Sequence, residues 1–218
     1  MTGEVLIEAK HLALIRGNRR LFHSLSFSLH KGQAIHLCGK NGSGKTSLFK
    51  ILTGLRQPNA GSLTLWGKSF KTFEPDDYQK LLYLGHQTAV KSALTVEDNL
   101  LFNARLFDSV EVNKKMLHHA LKSVGLWAFR SQVAEKLSAG QKRRISLARL
   151  WIAPYRKQPE ERVWLLDEPL TDLDTDFINV LQERIDAHLA SGGGVIFSSH
   201  QPLSLGGKVS EVNLGNFR

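Results

Sequence analysis

The residues best suited to chemistry form one short run in the first quarter of the sequence. Gly39-Lys40-Asn41-Gly42-Ser43-Gly44-Lys45-Thr46 fits the pattern G-x-x-x-x-G-K-[ST], which binds phosphate groups. Its glycines let backbone N–H groups turn toward anionic oxygens, and a helix beginning near Lys45 adds the partial positive charge of its N-terminus. We expect Lys45 to reach the β- and γ-phosphates of a nucleotide and Thr46 to coordinate Mg²⁺. The predicted nucleotide-binding residues here are Gly39, Lys40, Asn41, Gly42, Ser43, Gly44, Lys45, Thr46 and Ser47.

The alternative is a glycine-rich turn that binds nothing. The run lies between an apolar strand predicted over Ala34–Cys38 and a helix predicted from Lys45 through Leu52. A complete match between a strand and a helix is the context in which this motif binds phosphate, so we favour the nucleotide site.

A second candidate group is the carboxylate pair Asp167 and Glu168, which ends the apolar run Val163–Leu166. A buried parallel strand delivers such acids to the carboxyl edge of its sheet, where ligands bind in open α/β folds. Asp167 suits a Mg²⁺ shell shared with Thr46, and Glu168 suits polarisation of an attacking water. Taken alone, the pair is better interpreted as a solvated strand end; beside the phosphate loop at 39–46 it predicts an NTPase.

Further motifs place this chemistry in one family. Leu137-Ser138-Ala139-Gly140-Gln141 is similar to the LSGGQ signature of ABC ATPases, with alanine replacing one glycine. Gln87 resembles the family's Q-loop glutamine, Leu170-Thr171-Asp172-Leu173-Asp174 its D-loop, and His200 its switch histidine. Since the motifs occur in the family's order over nearly the whole chain, the sequence resembles an ABC ATPase, which implies hydrolysis of ATP with Mg²⁺.

The resemblance implies roles for individual residues. The implied catalytic residues are Glu168, His200, Lys45 and Gln87; the magnesium ligands are Thr46, Gln87 and Asp167; and the D-loop residue is Asp174. The signature residues Leu137, Ser138, Ala139, Gly140 and Gln141 are implied to act in trans, because in this family the signature closes over nucleotide bound by another copy. A head-to-tail homodimer that forms on ATP binding is therefore expected.

The sequence offers two candidate residues for contact with the base. The aromatic residue that stacks on adenine in many ABC ATPases is missing near Arg16, where spacing would place it. Either Arg16 lies over the base or Phe22 substitutes for the aromatic, and selectivity between ATP and GTP is left open.

Shorter sequence segments make the resemblance specific to one branch of the ABC ATPases. Gly85-His86-Gln87, Ala148-Arg149-Leu150-Trp151 and Ser199-His200-Gln201-Pro202-Leu203 look like the ATP-binding subunits of bacterial cytochrome c maturation systems. This branch implies integral-membrane partner subunits, a peripheral position on the cytoplasmic face of the inner membrane, and haem contacted by the partners. The alternatives are the ATPase subunit of another ABC exporter and a soluble ABC protein acting on nucleic acid or ribosomes.

The composition of the chain limits its expected partners and location. A net charge of +9 raises the question of nucleic acid, but the basic residues are scattered and no recognition motif accompanies them, so no nucleic-acid partner is expected. No run reaches the roughly 18 apolar residues of a membrane helix, and the N-terminus does not read as a signal peptide, so a cytoplasmic protein is expected. The single cysteine, Cys38, excludes an internal disulfide; with His36 it is expected to pack beneath the phosphate loop rather than bind haem or metal.

The elements needed to position these motifs follow from the hydrophobic pattern. We predict an α/β P-loop NTPase with a RecA-like core of ABC type, an antiparallel β subdomain and a helical signature subdomain. One domain covers 1–218: the core with its β subdomain takes 1–87 and 160–218, and the helical part about 88–150.

The local pattern gives the individual elements. Strands within 4–37 and at 62–66 are expected to form the antiparallel sheet, and 81–84 a buried strand. Helices are predicted from Thr95, through Val112–Val124, and over roughly 174–190; glycines 192–194 then lead into the last core strand. The charged segment 154–162 is expected to be a surface loop.

Overall fold

Two β-sheets form the frame of the protein, for which the computed structural model describes residues 4–107, 112–152, 162–201 and 203–217. The first sheet is antiparallel, with strands β1 (Val5–Arg16), β2 (Arg19–His30) and β4 (Ala60–Leu65) in the order β2-β1-β4. The second is parallel, in the order β5-β6-β7-β3-β8, where β3 is Gln33–Cys38, β5 Leu81–Leu84, β6 Val163–Asp167, β7 Gly194–Ser198 and β8 Lys208–Asn213. Parallel order brings the ends of β3, β6 and β7 to one edge.

Seven α-helices accompany the sheets in the described part of the chain: α1 (Lys45–Leu52), α2 (Pro75–Gln79), α3 (Val96–Phe107), α4 (Lys114–Ser123), α5 (Ala139–Leu147), α6 (Arg149–Ile152) and α7 (Thr175–Ala190). Across those described residues, none of the helices combines the length and apolar character that crossing a membrane requires.

The core lies on both faces of the parallel sheet, because alternate residues of a strand point to opposite faces. On β6, Val163 and Leu165 pack with α1 and the antiparallel sheet, whereas Trp164 and Leu166 pack with α3 to α7. Every residue of β6 and β7 is buried, which explains why both strands read as continuous apolar runs in the sequence. The predicted fold class is confirmed by this arrangement and by the solved structures described below.

Three local predictions need correction. Residues 33–37 belong to the parallel sheet and not to the antiparallel one. The strand after the triple glycine is not the last, since the mostly exposed edge strand β8 follows it and its polar alternation gave no apolar run. In α4 the buried face carries Leu117 and Leu121, while His119 is exposed. The predicted loop 154–162 lies outside the described residues except for Arg162.

Candidate nucleotide-binding site

The phosphate loop connects β3 to α1 and turns sharply at Gly44. Gly44 caps α1 with a φ of 111°, a left-handed conformation that favours glycine. A side chain there would also come within 3.3 Å of Leu21 and Phe22. Because α1 begins at Lys45, the first N–H groups of the helix have no intrahelical partner and face the loop's ligand space. Lys45 Nζ donates a 2.8 Å hydrogen bond to the carbonyl of Gly39, which holds the ammonium over the loop.

Ser198, at the end of the adjacent strand β7, holds the Asp167 carboxylate and the backbone of Glu168. The Ser198 hydroxyl donates to Asp167 Oδ1 at 2.8 Å and accepts the backbone N–H of Glu168 at 3.0 Å. Glu168 has a φ of 51°, uncommon for a residue with a side chain, which turns the chain out of the strand at this point. The two side chains therefore leave the sheet edge in defined directions.

Two predicted catalytic side chains, Lys45 and His200, converge on a third, Glu168. Its Oε1 lies 3.8 Å from Lys45 Nζ and 3.4 Å from His200 Nε2. The Glu168 side chain is 18% exposed and that of His200 is 60% exposed, so water reaches the histidine side of the group. The arrangement brings together an acid, an ammonium and an imidazole supplied by β6, α1 and the loop after β7.

A cavity of about 480 Å³ contains most of the predicted site. It is lined by Arg16, Leu21, His86, Asp167, Glu168, Thr171, His200 and the loop residues 40–47. Gln87 is exposed and is not among the lining residues; its neighbour His86 takes that place. Phe22 is fully buried, which removes it as the residue that stacks on the base, whereas Arg16 is exposed at the cavity.

The donor set of the cavity fits a nucleotide phosphate with Mg²⁺. Asp167 is 1% exposed, and among the described residues its Oδ2 has no hydrogen-bond partner, although an orphaned buried carboxylate oxygen is costly. Thr46 offers an exposed hydroxyl on the same cavity. Hard oxygen ligands of this kind suit Mg²⁺, and the N–H groups and Lys45 suit anionic oxygens.

Arg143, which the sequence analysis does not single out, holds the carboxylate end of the site from behind. This buried side chain of α5 donates to the carbonyls of Pro169, Gly85, His86, Asp167 and Glu168, at distances from 2.7 to 3.4 Å. Burial lowers the pKa of Arg143, and the neighbouring Asp167 opposes that shift. An arginine four residues before the buried Leu147 on one helix face was the available signal.

The signature residues form a second, separate cavity. Ser138 caps α5: its hydroxyl accepts the Gln141 N–H at 3.1 Å, and Gln141 Oε1 accepts the Ser138 N–H at 3.0 Å. Ser138, Ala139, Gly140 and Gln141 line a cavity of about 610 Å³ together with Arg144, Asp172 and Asp174. Leu137 is buried behind it. This cavity shares no lining residue with the phosphate-loop cavity.

Asp174 of the predicted D-loop is engaged within its own chain. Its Oδ1 accepts the Phe177 N–H at 2.8 Å and caps α7, while Oδ2 pairs with Arg144 of α5. The bond from Phe177, followed by the Arg144 charge, lowers the pKa of the Asp174 carboxyl. Asp174 therefore joins the signature helix to the start of α7.

Comparison with known proteins agrees with this geometry. Residues 22–171 match the family described as ABC transporter. The chain is 39% identical over 210 residues to the cytochrome c biogenesis ATP-binding export protein CcmA of Idiomarina loihiensis, covering 96% of this chain and 92% of that protein. It is 37% identical over 214 residues to the protein of the same name from Escherichia coli strain K12, covering 98% of both.

Solved structures share the fold. A putative ABC transporter ATP-binding protein from Pyrococcus furiosus superposes with a TM-score of 0.79 at 27% identity, covering 97% of this chain and 98% of that one. An ATP-binding cassette solved as a dimer in a post-hydrolysis state with ADP and phosphate gives a TM-score of 0.74 at 18% identity, covering 90% and 88%.

Proposed function

We propose residues for each step of ATP hydrolysis, and a transport process that the hydrolysis drives, on the basis that this chain belongs to the ABC transporter family. Within that family it is an ATP-hydrolysing subunit of the cytochrome c biogenesis type. The reaction powers a bacterial inner-membrane complex that exports haem or releases a haem-loaded chaperone. The chain sits at the cytoplasmic face as a peripheral subunit, bound to integral-membrane subunits that contact haem in its place. Relatives named as cytochrome c biogenesis ATP-binding export proteins match this chain nearly end to end and support this assignment.

The phosphates of ATP are held by the loop 39–47 and by Lys45. Thr46 and Asp167 hold Mg²⁺, with Gln87 reaching the ion after a shift of the loop that follows β5. The bound ion neutralises negative charge on the phosphates during transfer. The single observation that carries this proposal is the buried, unpartnered Asp167 Oδ2 on the cavity that also contains Thr46 and Lys45, judged among the described residues.

Glu168 accepts the proton of the attacking water, and His200 orients the water and the γ-phosphate. In the structure, the Glu168 carboxylate lies near both Lys45 and His200. Once Lys45 is engaged by phosphate, the Glu168 carboxylate is free to accept a proton from water on the exposed His200 side. Arg16 lies against the base, since Phe22 is buried.

Two chains complete each site. The signature and the phosphate loop line different cavities of one chain, so Ser138 and Gly140 of one copy reach the γ-phosphate held by Lys45 of another in a twofold head-to-tail homodimer. The N-terminal end of α5 supplies N–H donors to that phosphate. Hydrolysis removes the bridge, and the opening movement is passed to the membrane subunits.

Affinity capture tests the biological role. A tagged Glu168→Gln chain is expressed in its native host, membranes are solubilised with ATP and Mg²⁺, and retained proteins are identified by mass spectrometry. Lys45→Ala is the matched control, because it does not form the ATP-bound dimer. Cytochrome c maturation membrane subunits enriched with Glu168→Gln are the expected result; enrichment of an unrelated permease or of ribosomes would overturn the proposed pathway.

A further inference from the structure

Three metal-ligating side chains lie together behind the phosphate loop, outside the nucleotide cavity. His36 and Cys38 share one face of β3, and Glu211 of β8 is the direct register partner of His36. One ligand atom from each, a histidine nitrogen, the Cys38 sulfur and a Glu211 carboxylate oxygen, all lie within 4.8 Å of one another. Sequence alone predicts simple packing for His36 and Cys38, because the edge strand that brings Glu211 beside them has no apolar signal.

The imidazole of His36 is fixed with one nitrogen facing the group. Its Nε2 donates to the carbonyl of Ser199 at 3.1 Å, and since a carbonyl only accepts, Nε2 must carry the proton. In the neutral ring Nδ1 then bears the lone pair, which accepts a hydrogen bond from the Cys38 thiol at 3.4 Å. The ring stacks on Phe197 at 4.8 Å with an interplanar angle of 6°, which restricts its rotation.

This is the arrangement of a metal-binding histidine held by a backbone carbonyl on its other nitrogen. In a tetrahedral zinc site with S, N and O ligands, neighbouring ligand atoms are about 3.4 to 3.6 Å apart. The Nδ1 to Sγ separation already matches that spacing. Glu211 is exposed, so its carboxylate can close the remaining gap by rotating.

Nucleophilic or redox chemistry at Cys38 suits these three side chains less well than metal binding. Burial raises the pKa of the Cys38 thiol to about 12, with Glu211 adding to the rise. The thiol therefore keeps its proton in the metal-free chain and is a poor nucleophile or oxidation target. A divalent ion would replace that proton, and the thiolate with the Glu211 carboxylate would balance its charge.

We propose that His36 Nδ1, Cys38 Sγ and Glu211 bind one borderline-soft divalent ion of the Zn²⁺ class, with a fourth position open to solvent. The site is distinct from the Mg²⁺ position, because soft thiolate and imidazole donors select against Mg²⁺. It also adjoins the nucleotide site through the backbone. Cys38 precedes Gly39, which accepts the Lys45 hydrogen bond, and Ser199, which holds His36, precedes His200.

Metal titration of untagged, chelator-treated protein tests the site, since a polyhistidine tag would bind the probe ion. Zn²⁺ is measured by calorimetry in the presence of excess Mg²⁺, and Co²⁺ serves as the spectroscopic probe. We expect one Zn²⁺ per chain and a thiolate-to-cobalt charge-transfer absorption. In Cys38→Ser the absorption is lost, and in Glu211→Gln the Zn²⁺ affinity falls at least about 100-fold.

Two controls keep the result interpretable. Exposed His11→Ala removes a histidine outside the group and should leave Zn²⁺ binding unchanged. Glu211→Gln alters an exposed side chain, so this variant should remain folded even if Cys38→Ser unfolds. Circular dichroism checks the folding of both variants. Absence of one-to-one Zn²⁺ binding, or binding that Glu211→Gln does not weaken, would show a hydrogen-bonded packing group only and would overturn the proposal. Neither result changes the expected ATP affinity of the chelator-treated protein. Failure of the zinc proposal would therefore leave the proposed function intact.

Discussion

At the scale of single residues, the proposed hydrolysis depends on Glu168, which lies between Lys45 and His200. Each of the three comes from a different segment, and they meet because β6, β7 and β3 are consecutive neighbours in the parallel sheet and end at the same edge. Ser198 donates to the Asp167 carboxylate and accepts the Glu168 backbone N–H, which fixes the position of both residues for the metal-binding and water-activating roles that we propose.

Glu168→Gln should bind ATP but hydrolyse it at least about 100-fold more slowly, because the amide cannot accept the proton of the attacking water. Phosphate release measures the rate, and equilibrium binding of a fluorescent ATP analogue measures affinity. Asp176→Asn, which changes an exposed acid in the first turn of α7, is the matched control and should keep the normal rate. A normal rate in Glu168→Gln would remove this residue from the mechanism.

Sequence reasoning works well for residues that occur in ordered motifs, since the phosphate loop and the β6 carboxylates lie where their strands predict. It misses Arg143, whose five acceptors are backbone carbonyls and carry no sequence signal. It also misses Glu211, because cross-strand register is set by tertiary pairing.

At the scale of elements, the fit of α5 against the loop after β6 controls the signature. A Cβ added to Gly140 would lie 2.4 Å from the carbonyl oxygen of Asp172, whereas the preceding position is already alanine. That contact is shorter than real side chains show, so the helix start and the loop carrying Asp174 must separate to accept it.

Gly140→Ala should therefore lower the free energy of unfolding by about 1 to 3 kcal/mol and reduce ATPase activity. Ala139→Gly is the matched change, because it removes one methyl group at the preceding position; it should lower the free energy of unfolding by at most about 1 kcal/mol. Urea unfolding and phosphate release are measured on both. Equal effects of the two substitutions would contradict the close approach described for Gly140.

The packing of α7 on β6 makes the stability of the fold depend on pH. His188 is buried, with its ring stacked on Trp164 at 3.8 Å and nearly parallel. Burial, with the charges of Arg184 and Arg162 adding to it, lowers the pKa of His188 to about 3. The folded chain thus keeps His188 neutral at pH values where the unfolded chain, with a pKa near ~6.5, is protonated.

The free energy of unfolding should fall as the pH drops below about 6.5, because the unfolded state binds a proton at His188 that the folded state does not. Between pH 7 and pH 5, His188 should lower this free energy by about 2 kcal/mol. His188→Phe keeps the stacking on Trp164 and removes the titration. Urea unfolding of both chains at the two pH values measures the difference. An identical pH-dependent loss in wild type and His188→Phe would exclude His188 as its source.

Element boundaries also show what a sequence can and cannot predict. The fully buried β6 and β7 and the long α3 and α7 follow from their apolar patterns. The edge strand β8 does not, because its side chains are mostly exposed and its position depends on pairing with β3. The division into a core at 1–87 and 160–218 and a helical part at about 88–150 stays a prediction.

At the scale of the whole molecule, we propose that two chains share each ATP. The phosphate loop and the signature open onto different cavities of one chain, and Asp174 joins α5 to α7 beside the second cavity. A closing partner would bring its signature cavity over this chain's phosphate loop. ATP then acts as the bridge, and its hydrolysis as the release.

Mixing two inactive variants tests this claim directly. Lys45→Ala lacks a working phosphate loop and Ser138→Arg lacks a working signature, so neither should hydrolyse ATP alone. A mixed head-to-tail dimer contains one site with both partners intact, and random pairing should restore up to about a quarter of the wild-type rate. Recovered ATPase activity on mixing is the result this account predicts; a mixture no more active than its separate components would contradict it and place the complete site within one chain.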